Sequence, residues 1–176
     1  MNKQRLKLIL MAVAVIVVGI VFDQATKWLC VKYIPLKTSV TVIPGVLDFT
    51  HIQNTGAAWG MFGEPGQRWI FLVISSVAIV AMLGFLFTLK EKSETLLAIS
   101  LAMIASGGIG NMIDRLALGY VVDFVDTNPF LAHFHLHFPI YNGADILVCV
   151  GAALMVLAYL LLWHKEAKEK KESQKQ

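Results

Sequence analysis

The 176-residue chain is short of charge, with Lys, Arg, Asp and Glu making up only 15% of it. Water-soluble domains carry about a quarter charged residues. A hydrophobic share of 57% and a mean hydropathy of +0.67 set that class aside and point to a membrane. Cysteine is scarce too. Cys30 and Cys149 stand far apart, in or beside apolar segments and without a C-x-x-C, so no disulfide framework is expected and both read as free packing residues. There is no H-E-x-x-H, and no P-loop lysine follows the glycines of GGIGN (107–111), so zincin and phosphate-cradle chemistry have no footing. The formal net charge of +3 is modest, and no nucleic-acid partner is expected.

What is present is four apolar stretches. The first holds an unbroken run from Leu8 to Phe22; the others run Trp69–Leu89, Thr95–Ile113 and Ile146–Trp163, none with a charged residue. Crossing a bilayer takes about 20 apolar residues, so the expected fold class is a mainly α membrane protein, a four-transmembrane-helix bundle. The basic start of the first stretch also suits a signal peptide, but DQATKW follows it instead of a small-x-small cleavage site, and a retained helix is expected. With the N-terminus inside, the inner segments hold Lys3, Arg5, Lys7, Lys90, Lys92, Lys165, Lys168, Lys170, Lys171 and Lys175, ten of the fifteen basic residues. Both termini are therefore expected to be cytoplasmic. Residues 1–165 read as one integral-membrane domain and 166–176 as a charged cytoplasmic tail. Two outer loops remain, roughly 30–68 and 114–145. The first contains TSVTVIPGVLDFTHIQNTGAAWG, whose β-branched residues and Pro44-Gly45 turn predict short strands in a small sheet on the outer leaflet.

Polar residues gather at one depth on this topology. Asp23 and Lys27 stand at the outer end of the first span, four apart and so on one helix face. Asn111, Asp114 and Arg115 end the third span; Asn142 and Asp145 open the fourth; Asp123 lies in the loop between. Ionisable residues beside a bilayer are costly and mark functional sites. Asp23–Lys27 is either an interfacial ion pair or part of a site. Asp114–Arg115 reads as a structural pair or helix-end clamp. Asp145 alone suits a first-turn acid favoured by the helix dipole. Asp123, in YVVDFV, has apolar neighbours and no adjacent base. His133, His135 and His137 of HFHLH would share a face only in a strand, and Ser106 with Lys27 is a weak Ser–Lys candidate. Two carboxylates that approach closely hold one proton between them. The ionised one can draw a proton from water while the other polarises a carbonyl, which is peptide hydrolysis without metal or cofactor.

The motifs DQATK, NTGAAWG, GGIGNMIDR, VVDF and YNGAD, in that order over nearly the whole chain, resemble those of the lipoprotein signal peptidases (signal peptidase II) of the bacterial cytoplasmic membrane. Tyr141, where that family usually has Phe, and Gly143, where an aliphatic residue is common, are small departures. The resemblance implies catalytic Asp123 and Asp145, supported by Asp23, Lys27, Asn54, Gly56, Asn111, Arg115 and Asn142. It implies no metal or cofactor. It further implies a four-helix bundle with an extracytoplasmic sheet as substrate cradle. The substrate would be a prolipoprotein carrying a diacylglyceryl group, cut just before the lipidated cysteine by a monomer working among membrane lipids near the outer leaflet. The competing class is a small transporter or lipid-binding scaffold. A transporter would place its polar residues near the bilayer midplane, whereas here the centres of the spans are clean.

Overall fold

The computed structural model describes residues 3–56 and 68–173. Helix α1 spans Lys3–Tyr33, a run of good helix formers and apolar residues that stops just short of Pro35. Its buried residues are Leu8, Ala12, Gly19, Asp23, Lys27 and Cys30. These recur at the three- and four-residue spacing of a single helix face, apolar at one end and ionised at the other. Helix α2 covers Arg68–Leu86, α3 covers Thr95–Ala117, and α5 covers Gly143–Ser173. A short α4 lies at Asn128–Leu131.

Among the described residues, three helical segments are long and apolar enough to cross a membrane, those within Lys3–Tyr33, Lys92–Ala117 and Gly143–Ser173. In α2 the apolar stretch Leu72–Leu86 is shorter. Of the three long segments, α3 has 56% of its apolar window buried, against 22% for α1 and 11% for α5, which makes α3 the central helix. At the end of the bundle carrying both termini, Leu8 and Ala12 of α1, Leu86 and Leu89, Leu97 and Leu101 of α3 and Ala158 of α5 form one core. Small residues let the helices close on each other further along. A methyl on Gly107 would fall on the Ala144 carbonyl oxygen, and one on Gly151 would come within 2.9 Å of the Ser100 carbonyl oxygen. The glycines of GGIGN are packing residues.

Three strands form the sheet: β1 Ser39–Ile43, β2 Leu47–Asn54 and β3 Val121–Asp126, antiparallel in the order β1-β2-β3. Gly45, at φ 70, makes the turn expected at Pro44-Gly45, closed by Val46 N–H donating to the Ile43 carbonyl at 2.9 Å. On the other edge, Asn54 pairs with Val121 and Ile52 with Asp123. Segment 114–145 is therefore not simply a loop. Its first residues extend α3 to Ala117, and VVDFVD is a strand wedged between β2 and the backbone of Tyr141. The HFHLH segment is not a strand: Ala132–Phe134 is a 3-10 turn and His135 sits at φ 55. No metal-binding group of His, Cys, Asp or Glu occurs among the described residues. Helix α5 runs unbroken through residues 165 and 166, with exposed Lys165–Glu169 and Lys168–Glu172 pairs at 3.8 and 4.0 Å.

Candidate active site

The ends of α1, α3 and α5 away from the chain termini are joined by a buried ion cluster. Lys27 Nζ lies 2.9 Å from Asp23 Oδ2 and 3.1 Å from Asp114 Oδ2, and donates to Asn111 Oδ1 at 2.9 Å. Lys27 is 3% exposed, Asp23 0% and Asp114 3%. Charges this deep are tolerated when they are paired and hydrogen-bonded, and here each carboxylate oxygen has a partner. Asp23 Oδ1 accepts the Ala144 backbone N–H of α5 at 2.9 Å; Gln24 Nε2 donates to Asp23 Oδ2 at 3.1 Å and Asp114 Oδ1 at 2.9 Å. Asp114 Oδ2 also accepts the Val122 N–H of β3 at 3.0 Å. Gly110 makes room, since a methyl there would fall on Asp23 Oδ2.

Two asparagines carry this framework to the acids of β3 and of α5. Asn111 accepts from Lys27 through its oxygen, so its amide nitrogen is turned outward and donates to Asp145 Oδ1 at 2.8 Å. Asn142 caps α5: its Oδ1 accepts the Asp145 N–H at 3.0 Å, and Asp145 Oδ2 accepts the Asn142 N–H at 3.1 Å. This reciprocal pair is a capping box with Asn and Asp in place of Ser and Glu. The amide nitrogen of Asn142 donates to Asp123 Oδ1 at 2.6 Å and to Asn111 Oδ1 at 3.0 Å. Asp123 Oδ2 accepts from Asn54 Nδ2 at 2.9 Å, while Asn54 Oδ1 accepts the Gly56 N–H at 3.0 Å. Asp123 and Asp145 are thus linked through the touching amides of Asn142 and Asn111. Burial pushes the Asp123 carboxyl up to about 6, and the nearby Asp145 charge adds to the rise. The donors from Asn54 and Asn142, and the Lys27 charge, act in the opposite direction.

A cavity of about 560 Å³ opens on this arrangement. Asp123, Asp145, Asn54, Gly56, Asn111 and Arg115 line it, and its remaining wall is chiefly apolar, from Phe138 to Tyr141 and along α5 at Ile146, Cys149 and Val150. Arg115 donates to the carbonyls of Asn111 and Gly56, each at 3.3 Å. Cys149 is a free thiol on this wall and Cys30 a free, buried one elsewhere. Ser106 and Lys27 are engaged elsewhere: the Ser106 hydroxyl donates to the Met103 carbonyl at 2.8 Å, and Lys27 meets Asp23, Asp114 and Asn111.

A family model described as Signal peptidase (SPase) II matches residues 15–161. The chain belongs to the signal peptidase II family. It is 40% identical over 159 residues to the lipoprotein signal peptidase of Lactococcus lactis, covering 90% of this chain and 98% of that protein. With the Bacillus pumilus lipoprotein signal peptidase it shares 42% over 159 residues, or 89% and 94% of the two chains. It superposes on a solved bacterial membrane enzyme with TM-score 0.74 at 32% identity, over 85% of this chain and 87% of that one. This family membership sets the transporter and scaffold readings aside.

Of the nine positions carried over from the signal peptidase II resemblance, the structure brings Asp123, Asp145, Asn54, Gly56, Asn111 and Arg115 to the cavity wall. Asp23 and Lys27 lie in the ion cluster, and Asn142 lies between that cluster and the two acids. The remainder of the NTGAAWG motif, from Ala57 on, lies outside the described residues. Asp114 and Gln24 belong to the cluster beyond those nine positions. Asp114, expected as a structural pair with Arg115 or a helix-end clamp, is structural, but adjacent residues on a helix do not face each other, and its carboxylate goes to Lys27 and to the Val122 N–H of β3. The signal was there: Gly107, Gly110, Asn111 and Asp114 share one face of α3. Gln24, uncharged, left no such signal.

Proposed function

We propose that this chain is a membrane aspartic endopeptidase in which Asp123 and Asp145 together hydrolyse the peptide bond preceding a diacylglyceryl-modified cysteine. Its family consists of signal peptidases acting on lipoproteins, and removing lipoprotein signal peptides is its activity; the assignment of residues and bond is ours. The observation that carries the reading is that two carboxylates on different elements face one cavity while amide donors fix both. Asp145 accepts from Asn111 and from the Asn142 backbone at the start of α5, which holds its carboxylate toward the cavity, and it takes the part of the base. Asp123, pushed up to about 6 by burial, is the proton holder. Asp145 takes a proton from water as that water attacks the scissile carbonyl carbon, and Asp123 gives its proton to the carbonyl oxygen. Collapse of the tetrahedral species then returns a proton to the leaving nitrogen. No metal or cofactor enters these steps. Asn54 and Asn142 hold Asp123, Asn111 holds Asp145, Arg115 secures the Gly56 carbonyl at the rim, and Asp23 with Lys27 anchors the ends of the helices.

The proposed setting is the bacterial cytoplasmic membrane. Helices α1, α2, α3 and α5 form a four-span bundle with both termini inside, and residues 1–165 act as one domain ahead of the tail 166–176. The protein works as a monomer, with the cavity near the outer leaflet. A substrate held by its acyl chains diffuses in two dimensions, so the apolar wall from Ile146 to Val150 and the acids need only meet it at one depth. The test is cleavage of a diacylglyceryl-modified precursor peptide by purified Asp123→Asn and Asp145→Asn proteins. Each should lose at least the ~10²–10⁴-fold that acid–base catalysis contributes while still binding the peptide, and the double variant should be scarcely worse, because the two act as a unit. Substantial turnover by either single variant would overturn the two-aspartate mechanism and redirect attention to Asp114.

A further inference from the structure

Strand β3 separates two apolar spaces. Val121 and Asp123 line the cavity described above, whereas Phe124, on the opposite face of the strand, lines a second one of about 490 Å³. The other walls of this groove are Thr26, Leu29, Cys30, Tyr33, Ile34, Val40 and Phe49. Of the two side-chain hydroxyls on the α1 side, that of Thr26 is already spent on the Phe22 and Asp23 carbonyls, both at 2.9 Å, which leaves the Tyr33 phenol. A chiefly apolar space of this kind has few partners to offer water. The groove is continuous with the outward face of α1, where Phe22, Trp28, Leu29 and Tyr33 are exposed. At its mouth stands a cation: Lys32 Nζ lies 4.5 Å from the Trp28 ring centroid and 5.2 Å from that of Tyr33, which is itself a groove wall. Aromatic rings with a basic residue at the end of a spanning helix mark the headgroup level of a membrane.

We propose that this groove is a second lipid site, occupied by an acyl chain of an anionic phospholipid of the outer leaflet whose phosphate meets Lys32. The occupant is a resident lipid and not the substrate, whose scissile bond must reach the other face of β3. Seated between α1 and the sheet, it completes the packing of Cys30, Ile34 and Phe124 and ties the sheet to the leaflet at a fixed depth.

Native mass spectrometry of the full chain, released from nanodiscs of phosphatidylcholine with or without phosphatidylglycerol, tests this without measuring any cleavage. The readout is therefore independent of the two-aspartate reading. The wild type should retain one phosphatidylglycerol in preference to phosphatidylcholine. Lys32→Gln should lose that preference by roughly fivefold, the scale of one lysine at an anionic membrane surface. Val40→Trp, at a half-exposed edge-strand position, should fill the groove and lose the adduct; Val40→Glu, which adds charge in place of bulk, should do the same if the larger ring fails to fold. Wild type without a retained lipid, equal retention of both lipids, or an adduct undiminished in a folded Val40 variant would each overturn the proposal. So would displacement of the bound lipid by a lipidated substrate peptide, or a protein dimer in its place.

Discussion

The hydrogen bond from Asn54 Nδ2 to Asp123 Oδ2, 2.9 Å long, has an effect that can be read from a pH profile. In the proposed mechanism Asp123 must hold its proton, so kcat/KM falls as pH rises through its pKa, about 6 in the free enzyme. The Asn54 donor favours the ionised carboxylate and thereby keeps that pKa down. A hydrogen bond to a charged group contributes about 1.5–3 kcal/mol. At 1.36 kcal/mol per pH unit, its loss should raise the pKa by about one to two units. Asn54→Leu removes the donor while keeping the volume, so no water takes its place. The expected result is a lower maximum and a basic limb displaced upward by at least one unit, measured as kcat/KM on a lipidated peptide across a pH series in detergent. A basic limb that stays put or moves down would refute both the role of Asn54 and the choice of Asp123 as proton holder.

Replacing Lys27 by Met would leave Asp23 and Asp114 buried and face to face, at a cost of about 3–5 kcal/mol; a large drop in thermal midpoint in detergent is expected, and an unchanged midpoint would contradict the cluster. Gly107→Ala should cost about 1–3 kcal/mol through overpacking, because its methyl meets the Ala144 carbonyl and Val148 Cγ2 at 2.8 Å. Gly84→Ala, with nothing within 4 Å, should be neutral or gain about 0.4–1 kcal/mol, and the two melting curves make the comparison. For orientation, cysteines introduced at Thr38 and Asn128 should react with an impermeant maleimide added outside intact cells, whereas one at Ser93 should not; reaction at position 93 alone would invert the topology.

Much of this arrangement can be read from the residues, and what cannot be read has physical causes. Long apolar runs announce α1, α3 and α5, and β-branched residues on either side of Pro44-Gly45 announce β1 and β2. Strand β3 hides because Val121 through Phe124 are all buried, so the polar–apolar alternation of a one-sided strand is missing. The helical extension at Lys165–Ser173 resembles a loose charged tail by composition, but its Lys–Glu spacings of four are those of a helix surface. Within the site, the clustering of Asp23, Lys27, Asn111, Asn142, Asp123 and Asp145 at one end of the bundle is visible from topology alone. The partners are not. Nothing in the order of residues says that Lys27 reaches across to Asp114, or that Asn142 is both the cap of a helix and the donor to Asp123, because both facts depend on how closely the glycines let α3 approach its neighbours.

Three residues, Leu118 to Tyr120, join the end of α3 to the start of β3, with Gly119 at φ 84. Asp114 holds the Val122 N–H on one side of that link and Asn142 donates to the Val122 carbonyl at 3.3 Å on the other. Side chains in a strand take alternate faces, so the link fixes a parity: odd residues turn to the acids, even residues to α1. Sliding the strand by a single position exchanges Asp123 for Phe124. The bundle would still be built and the sheet still paired, but a ring would stand where the proton belongs. The length of this turn is thus a counted quantity. An inserted or deleted residue between Asp114 and Val122 has no graded effect to offer, whereas the opposite hairpin at Pro44-Gly45 places neither acid.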